Sequence, residues 1–213
     1  MFFPKMKVAI PFAEKPGRNT DRESGRFRYA GILLAACFMF CLQPLLQSCT
    51  EVDSRFSNIY VRFIMENVLQ SPAVLYPSCN SMGEFCTITA KGQQFIFENT
   101  RQKESVNFTA MNNYQGFSFG LSTGLIVGLP TIPEMGAMQS QVVCFDLACA
   151  NCYQDYSICK RMQLKENGKA HCKSCQRTYD LNNQGLVCDG ASGRPLYRYR
   201  VSLNGNSLIV SNR

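Results

Sequence analysis

The chain is 213 residues long, 46% hydrophobic and 17% charged, with a formal net charge of +7, twelve cysteines and one histidine. Seven basic and three acidic side chains fall in the first 30 residues, so +4 of that charge lies there, and 15 basic against 12 acidic side chains remain. The remainder is no nucleic-acid footprint, because no basic cluster with interleaved aromatic residues stands out. A single histidine also excludes any site that takes two imidazoles from one chain.

Lys5, Lys7, Lys15, Arg18, Arg22, Arg26 and Arg28 precede the apolar stretch "YAGILLAACFMFCLQPLLQSC", which ends at Cys49. A basic segment, an apolar run and small or polar residues before a cut describe a secretory signal. Leu46-Gln47-Ser48-Cys49 is similar to a lipobox, whose cysteine is lipidated and becomes the mature N-terminus. The expected organisation is a lipoprotein signal peptide over 1–48, lipidation at Cys49 and a tether over 49–57. The apolar run is also long enough for an uncleaved membrane anchor, but Gln43, Pro44 and Gln47 interrupt it. The implied location is outside the cytoplasm, lipid-anchored to a bacterial cell envelope on its periplasmic or surface side. The membrane is then one partner and an envelope protein another.

About 165 residues remain, the size of one domain, expected over 58–213. In chain order, "NIYVRFI", "EFCTITA", "QQFIFEN", "VNFTA", "GLIVGL", "QVVCFDL", "PLYRYRVSL" and "NSLIVSN" read as strands, being short, β-branched or alternating, and punctuated by Gly, Pro and Asn. The polar stretch "KGQQFIFENTRQKESVNFTAMNNYQ" reads as a long loop or hairpin tip. "GFSFGLSTGLIVGLP" is glycine-rich but lacks the Lys-Ser/Thr end of a phosphate loop, so its glycines are assigned to turns and close strand packing, and no nucleotide is expected. In "PLYRYRVSL", Leu196, Tyr199, Val201 and Leu203 fit a largely alternating strand, with Arg198 and Arg200 facing water. Asn204-Gly205 then suits a tight hairpin turn. No segment sustains a 3.6-residue apolar period, and the fold class is mostly β.

The chemistry concentrates in "CFDLACANCYQDYSIC" and "AHCKSCQRTYD". Cys149-Ala-Asn-Cys152 and Cys172-Lys-Ser-Cys175 are two Cys-x-x-Cys knuckles separated by 19 residues, a spacing that suits a four-cysteine metal site. Each knuckle presents two thiolates, and four sulfurs can surround Zn²⁺ tetrahedrally at about 2.3 Å. His171 precedes Cys172 directly, and neighbours on an extended segment point to opposite sides, so it is read as a bystander rather than a ligand.

The run "VVCFDLACANC…HCKSCQRTYDLNNQGLVCDGASGRPLYRYRVSLNGNSLIVSN" resembles a Rieske-type domain over roughly residues 120–212. Phe145-Asp146 matches the aromatic-Asp element before the first ligand loop and Tyr179-Asp180 the one after the second. Gly190-Ala191, Pro195-Leu196, Tyr199, Val201, Leu208 and Val210 match the tail. The resemblance implies an antiparallel β-sandwich carrying two ligand loops, with the metal-site subdomain at about 145–190. The ligands depart from the family: a Rieske cluster takes two cysteines on one iron and two histidines on the other. Here the first loop reads Cys149-Ala150-Asn151, and Cys175 stands where the second loop would carry its histidine.

The expected site is therefore Cys149, Cys152, Cys172 and Cys175 on a Rieske-like scaffold, with Asp146 and Asp180 orienting the ligand loops. Zn²⁺ is favoured, and an all-cysteine [2Fe–2S] cluster with an electron-transfer role is the alternative. A folded iron–sulfur protein is exported behind a twin-arginine signal, and no Arg-Arg pair occurs in the leader. Disulfides are the remaining use of these thiols in an exported chain. Cys79 and Cys86 are spaced to bridge, Cys144 reads as a buried thiol, and Cys159 and Cys188 are left over. Four thiolates close a zinc shell, and no carboxylate dyad or cysteine–base pair is visible, which points away from catalysis. A thiol–disulfide redox role is a further alternative.

Overall fold

The computed structural model describes residues 55–68, 72–107, 116–139 and 141–212, all within one unit spanning Asp53–Arg213. The leader, Cys49 and most of the expected tether lie outside the described residues. Among those that are described, no helix is long and apolar enough to cross a membrane.

Alternation sets the first pairing. In β1 (Val61–Met65) Val61, Phe63 and Met65 are buried and the residues between are half-buried. Strand β14 (Ser207–Ser211) offers Leu208 and Val210 in the complementary pattern, and the two pair antiparallel from Arg62 opposite Ser211 to Met65 opposite Leu208. Strands β13 (Val201–Asn204) and β5 (Ser118–Phe119) flank them in a four-stranded sheet. The β13–β14 hairpin turns at Gly205-Asn206, where Gly205 takes φ +58°.

A second sheet has six strands in the order β12 (Arg198–Tyr199), β7 (Val143–Asp146), β6 (Leu125–Gly128), β2 (Phe85–Lys91), β3 (Gln94–Glu98) and β4 (Lys103–Asn107), all antiparallel. The expected strand "QQFIFEN" forms β3, and β4 starts earlier than the expected "VNFTA", so this part of the polar stretch is a hairpin rather than a long loop. The alternation of Phe95 and Phe97 with polar residues makes a half-buried strand, although its flanks are polar.

A third sheet runs β11 (Leu186–Asp189), β10 (Thr178–Asp180), β9 (Lys169–His171), β8 (Gln163–Lys165). The helices are short: α1 (Leu75–Asn80), α2 (Ala150–Tyr156) and a 3-10 turn at Leu181–Asn183. One or two turns are too brief to leave a period in the sequence.

The six-stranded sheet is covered on both faces, one layer more than a two-sheet sandwich. Cys86, Ile88, Phe95, Phe97, Leu125, Val127, Cys144 and Tyr199 join β1 and β14 residues in one core. The intervening side chains Phe85, Ile126, Val143 and Phe145 face a second core with Cys149, Cys152, Cys172 and Tyr179. Burial on both faces explains why β6 and β7 are uninterrupted apolar runs up to Asp146.

The segment expected as one strand, "PLYRYRVSL", is two. β12 pairs with β7 in the six-stranded sheet, and β13 pairs with β14 in the first one. Arg198 lies opposite Phe145, on the face of the six-stranded sheet that the second core covers: it is 8% exposed, pairs with Glu134 and lies 5.2 Å over the Phe56 ring, while Arg200, beyond the change of sheet, stays exposed. Ser57, expected in the tether, donates its N–H to Arg198 O at 2.8 Å.

Candidate metal centre

Strand β7 delivers the first knuckle. Asp146, at its end, is fully buried and accepts four hydrogen bonds: Leu121 N at 2.9 Å and Tyr199 Oη at 2.7 Å on one oxygen, Thr123 Oγ1 at 3.1 Å and Ala148 N at 2.7 Å on the other. The carboxylate thereby fixes the backbone immediately before Cys149 to the turn at Gly120–Thr123. A Cβ on Gly120 would fall 1.9 Å from Tyr199 Oη and 2.5 Å from Asp146 Oδ2, so glycine there makes room for this cluster. Cys149 caps α2: its N–H donates to Lys160 O at 2.8 Å, and its carbonyl accepts from Tyr153 N at 3.1 Å. One helical turn later comes Cys152.

The second knuckle joins β9 to β10. Cys172 N–H donates to Arg177 O and Gln176 N–H to Cys172 O, each at 2.9 Å, and Gln176 takes the left-handed conformation at φ +58°. This closed turn aims Cys172 inward and leaves Cys175 at its rim.

The two knuckles meet. All four Sγ atoms lie within 4.8 Å of one another, and they form the one such group of potential metal ligands found among the described residues. Two contacts cross between the knuckles, Cys149 to Cys175 at 3.5 Å and Cys152 to Cys172 at 3.6 Å. Four donors on a tetrahedron at about 2.3 Å from one ion are about 3.8 Å apart, so the sulfurs fit a single ion. Cys149, Cys152 and Cys172 are 0%, 2% and 0% exposed, while Cys175 is half-buried.

A hydrogen-bond relay supports the first sulfur. Tyr179 Oη lies 3.0 Å from Cys149 Sγ and accepts from Asn151 Nδ2 at 2.8 Å; towards a Cys149 thiolate, which can only accept, the hydroxyl is the donor. Asn151 is fixed in turn: Nδ2 also donates to Arg194 O at 3.0 Å, and Oδ1 accepts from Arg194 N at 3.0 Å. The Asn151 amide is wholly engaged with Tyr179 and the Arg194 backbone.

Electrostatics separate the four thiols. Burial raises Cys149, against the Tyr179 hydroxyl and the Cys152 N–H that lower it. Burial and the neighbouring cysteines raise Cys152. Burial raises Cys175 too, but donation from the Arg177 backbone and side chain, together with Cys149 and Cys172, outweighs it and brings this thiol down to about 7. Cys175 is thus readily ionised beside Cys149 and Cys152, which give up protons only to a strong competitor such as a metal cation.

The other predicted residues fall elsewhere. His171 pairs across strands with Thr178, Nδ1 to Oγ1 at 3.2 Å, and is outside the sulfur cluster. Asp180 caps the 3-10 turn by accepting from Asn182 N at 3.0 Å, so it orders the chain after the second knuckle. Cys79 and Cys86 are free buried thiols rather than a disulfide, packed in the first core beside Leu75 and Ile88. Burial pushes each up to about 12. Cys144 is buried as expected; Cys159 and Cys188 are exposed. Asn151, Arg177 and Gly193 had no assigned role in the sequence, since their contributions depend on contacts between distant loops. Comparison with protein-family models, curated proteins and solved structures gives no match.

Proposed function

We propose that Cys149, Cys152, Cys172 and Cys175 hold one zinc ion as the structural centre of a non-catalytic β domain. The observation that carries this reading is the convergence of four sulfurs within 4.8 Å. Each iron of a binuclear cluster would take its own pair of cysteines, with the two pairs held apart by the width of the cluster. The closeness of all four sulfurs, within 4.8 Å of one another, favours a single ion over that alternative. Four thiolates leave no open position, and the role supplied by zinc is cross-linking: it ties α2 to the β9–β10 turn.

The scaffold is read as a divergent Rieske-like domain. Support comes from the loops on which the cysteines sit, the contact of Tyr179 with Cys149, and burial of Leu196 and Tyr199 in the tail. The basic leader and the Leu-Gln-Ser-Cys sequence support export and lipidation at Cys49, hence attachment to a cell envelope where the domain serves as a scaffold or interaction module.

Metal analysis of the purified full chain tests the proposal. One equivalent of zinc, no visible absorbance after anaerobic purification, and loss of zinc on Cys172→Ser are expected. Stoichiometric iron and sulfide with visible colour would replace this reading with the electron-transfer one.

A further inference from the structure

The sulfurs of the centre make two contacts, both between knuckles. Cys149 meets Cys175 at 3.5 Å and Cys152 meets Cys172 at 3.6 Å. Exposure is unequal: Cys175 is the one half-buried member, and its contact partner Cys149 is fully buried behind it. A bond between Cys149 and Cys175 needs their sulfurs to close by about 1.5 Å to reach disulfide length.

We infer that the centre is a redox-gated metal site, in which a small disulfide oxidises Cys175 and Cys149 to a disulfide between the knuckles and releases the ion. This rests on the metal-site reading above. The Cys175 thiolate attacks one sulfur of R–S–S–R, forming Cys175–S–S–R and expelling RS⁻. Cys149 Sγ then attacks the Cys175 sulfur, forms the Cys149–Cys175 bond and expels the second RS⁻. Two electrons pass from the cysteine pair to the external disulfide; in the metal-loaded site both sulfurs are already thiolates, so the two RS⁻ groups take their protons from water to leave as RSH, whereas in the metal-free protein the thiol protons supply them. Only Cys152 and Cys172 then remain as thiolate donors, too few for a closed zinc shell. The outer cysteine receives the oxidant and the inner one resolves the adduct; the reverse order is blocked, because Cys149 has no exposed surface.

The Cys-x-x-Cys sequences point to a different pairing, Cys149 with Cys152 and Cys172 with Cys175, so the two outcomes are separable by peptide mapping. The full chain, zinc-loaded and zinc-free, is titrated with oxidised glutathione, trapped with an alkylating reagent, digested and mapped by mass spectrometry. A chromogenic chelator follows zinc in parallel. Cys149–Cys175 is expected as the first bond formed, with loss of two thiols per chain and release of the ion in step. Cys149→Ser should stop the reaction at a glutathione adduct on Cys175, and Cys175→Ser should abolish the first bond. A first bond within either knuckle, or retention of all four thiols while Cys159 and Cys188 are modified, overturns the inference. Because pairing is also read without zinc, a chain that binds no metal yet forms Cys149–Cys175 defeats the metal-site reading alone.

Discussion

The Tyr179 hydroxyl lies 3.0 Å from the Cys149 sulfur while accepting from Asn151 Nδ2, placed to donate its proton to a Cys149 thiolate. A residue from β10 thereby supports a ligand on α2, and the two halves of the site share one hydrogen-bond chain. Replacing Tyr179 with Phe removes that donor and leaves Asn151 Nδ2 with Arg194 O alone. We expect a loss of about 1–2 kcal/mol in stability, read from urea midpoints. Zinc affinity should fall about 10- to 100-fold in chelator competition, the usual scale for losing a partner that orients a metal ligand. Unchanged affinity in Tyr179→Phe would remove the tyrosine from the metal site.

Gly193 tests the same chain from its far end. A Cβ there would sit 2.5 Å from Asn151 Oδ1 and 2.8 Å from Nδ2. Gly193 is not in the left-handed region, so the penalty of alanine is steric. Gly193→Ala should cost about 1–3 kcal/mol and weaken zinc binding in parallel. A fully stable variant would mean that Asn151 moves freely.

Asp146 offers a test of polarity at the root of the first knuckle. Each of its oxygens accepts one backbone N–H, from Leu121 and from Ala148, so an asparagine amide meets a fixed donor whichever way it is turned. Asp146→Asn should destabilise by about 2 kcal/mol or more.

The pH dependence of that difference has a defined sign. Burial raises Asp146 above its ordinary 3.8, outweighing the four donors that lower it. The folded state therefore holds this proton more tightly, and the resulting stability is present below about pH 3.8 and lost as pH rises through the folded value. Urea titrations of the metal-free proteins should show the lead of wild type over Asp146→Asn widest in acid and narrowing upward. A lead that grows with pH would contradict the assignment.

The cysteines outside the site are expected to divide by burial. Cys79 and Cys86 are pushed up to about 12 and Cys144 also rises, in each case chiefly by burial. Brief alkylation of the folded protein near pH 8 should mark Cys159 and Cys188 and spare these three until denaturant is added. Labelling of Cys86 under native conditions would place the first core in doubt.

The four ligand candidates were legible because two Cys-x-x-Cys knuckles form a local pattern with one strong geometric use. Strand character was legible where period 2 is clean, as in β1, β3 and β14. Arg198 is buried, against the expectation that it faces water, because the strand it sits on belongs to a sheet covered on both faces, which alternation alone does not reveal. Asn151 and Gly193 stayed silent for a related reason: each acts through a loop more than 40 residues away, and no local spacing encodes that contact. The Cys79–Cys86 expectation rested on closeness in sequence; both are free thiols of the first core.

The strand order also bears on how the molecule assembles. Strands β8 to β11 pair only with their neighbours in sequence, so the sheet that carries the second knuckle can close once Asp189 has been made. Strand β1 instead waits for β14, the last described strand, before its main partner exists. Closing such long loops slows folding, whereas local hairpins form early. The sulfur cluster can therefore take shape on a chain whose first core is still open, and a captured ion would steady that half while the N-terminal strand awaits its partner.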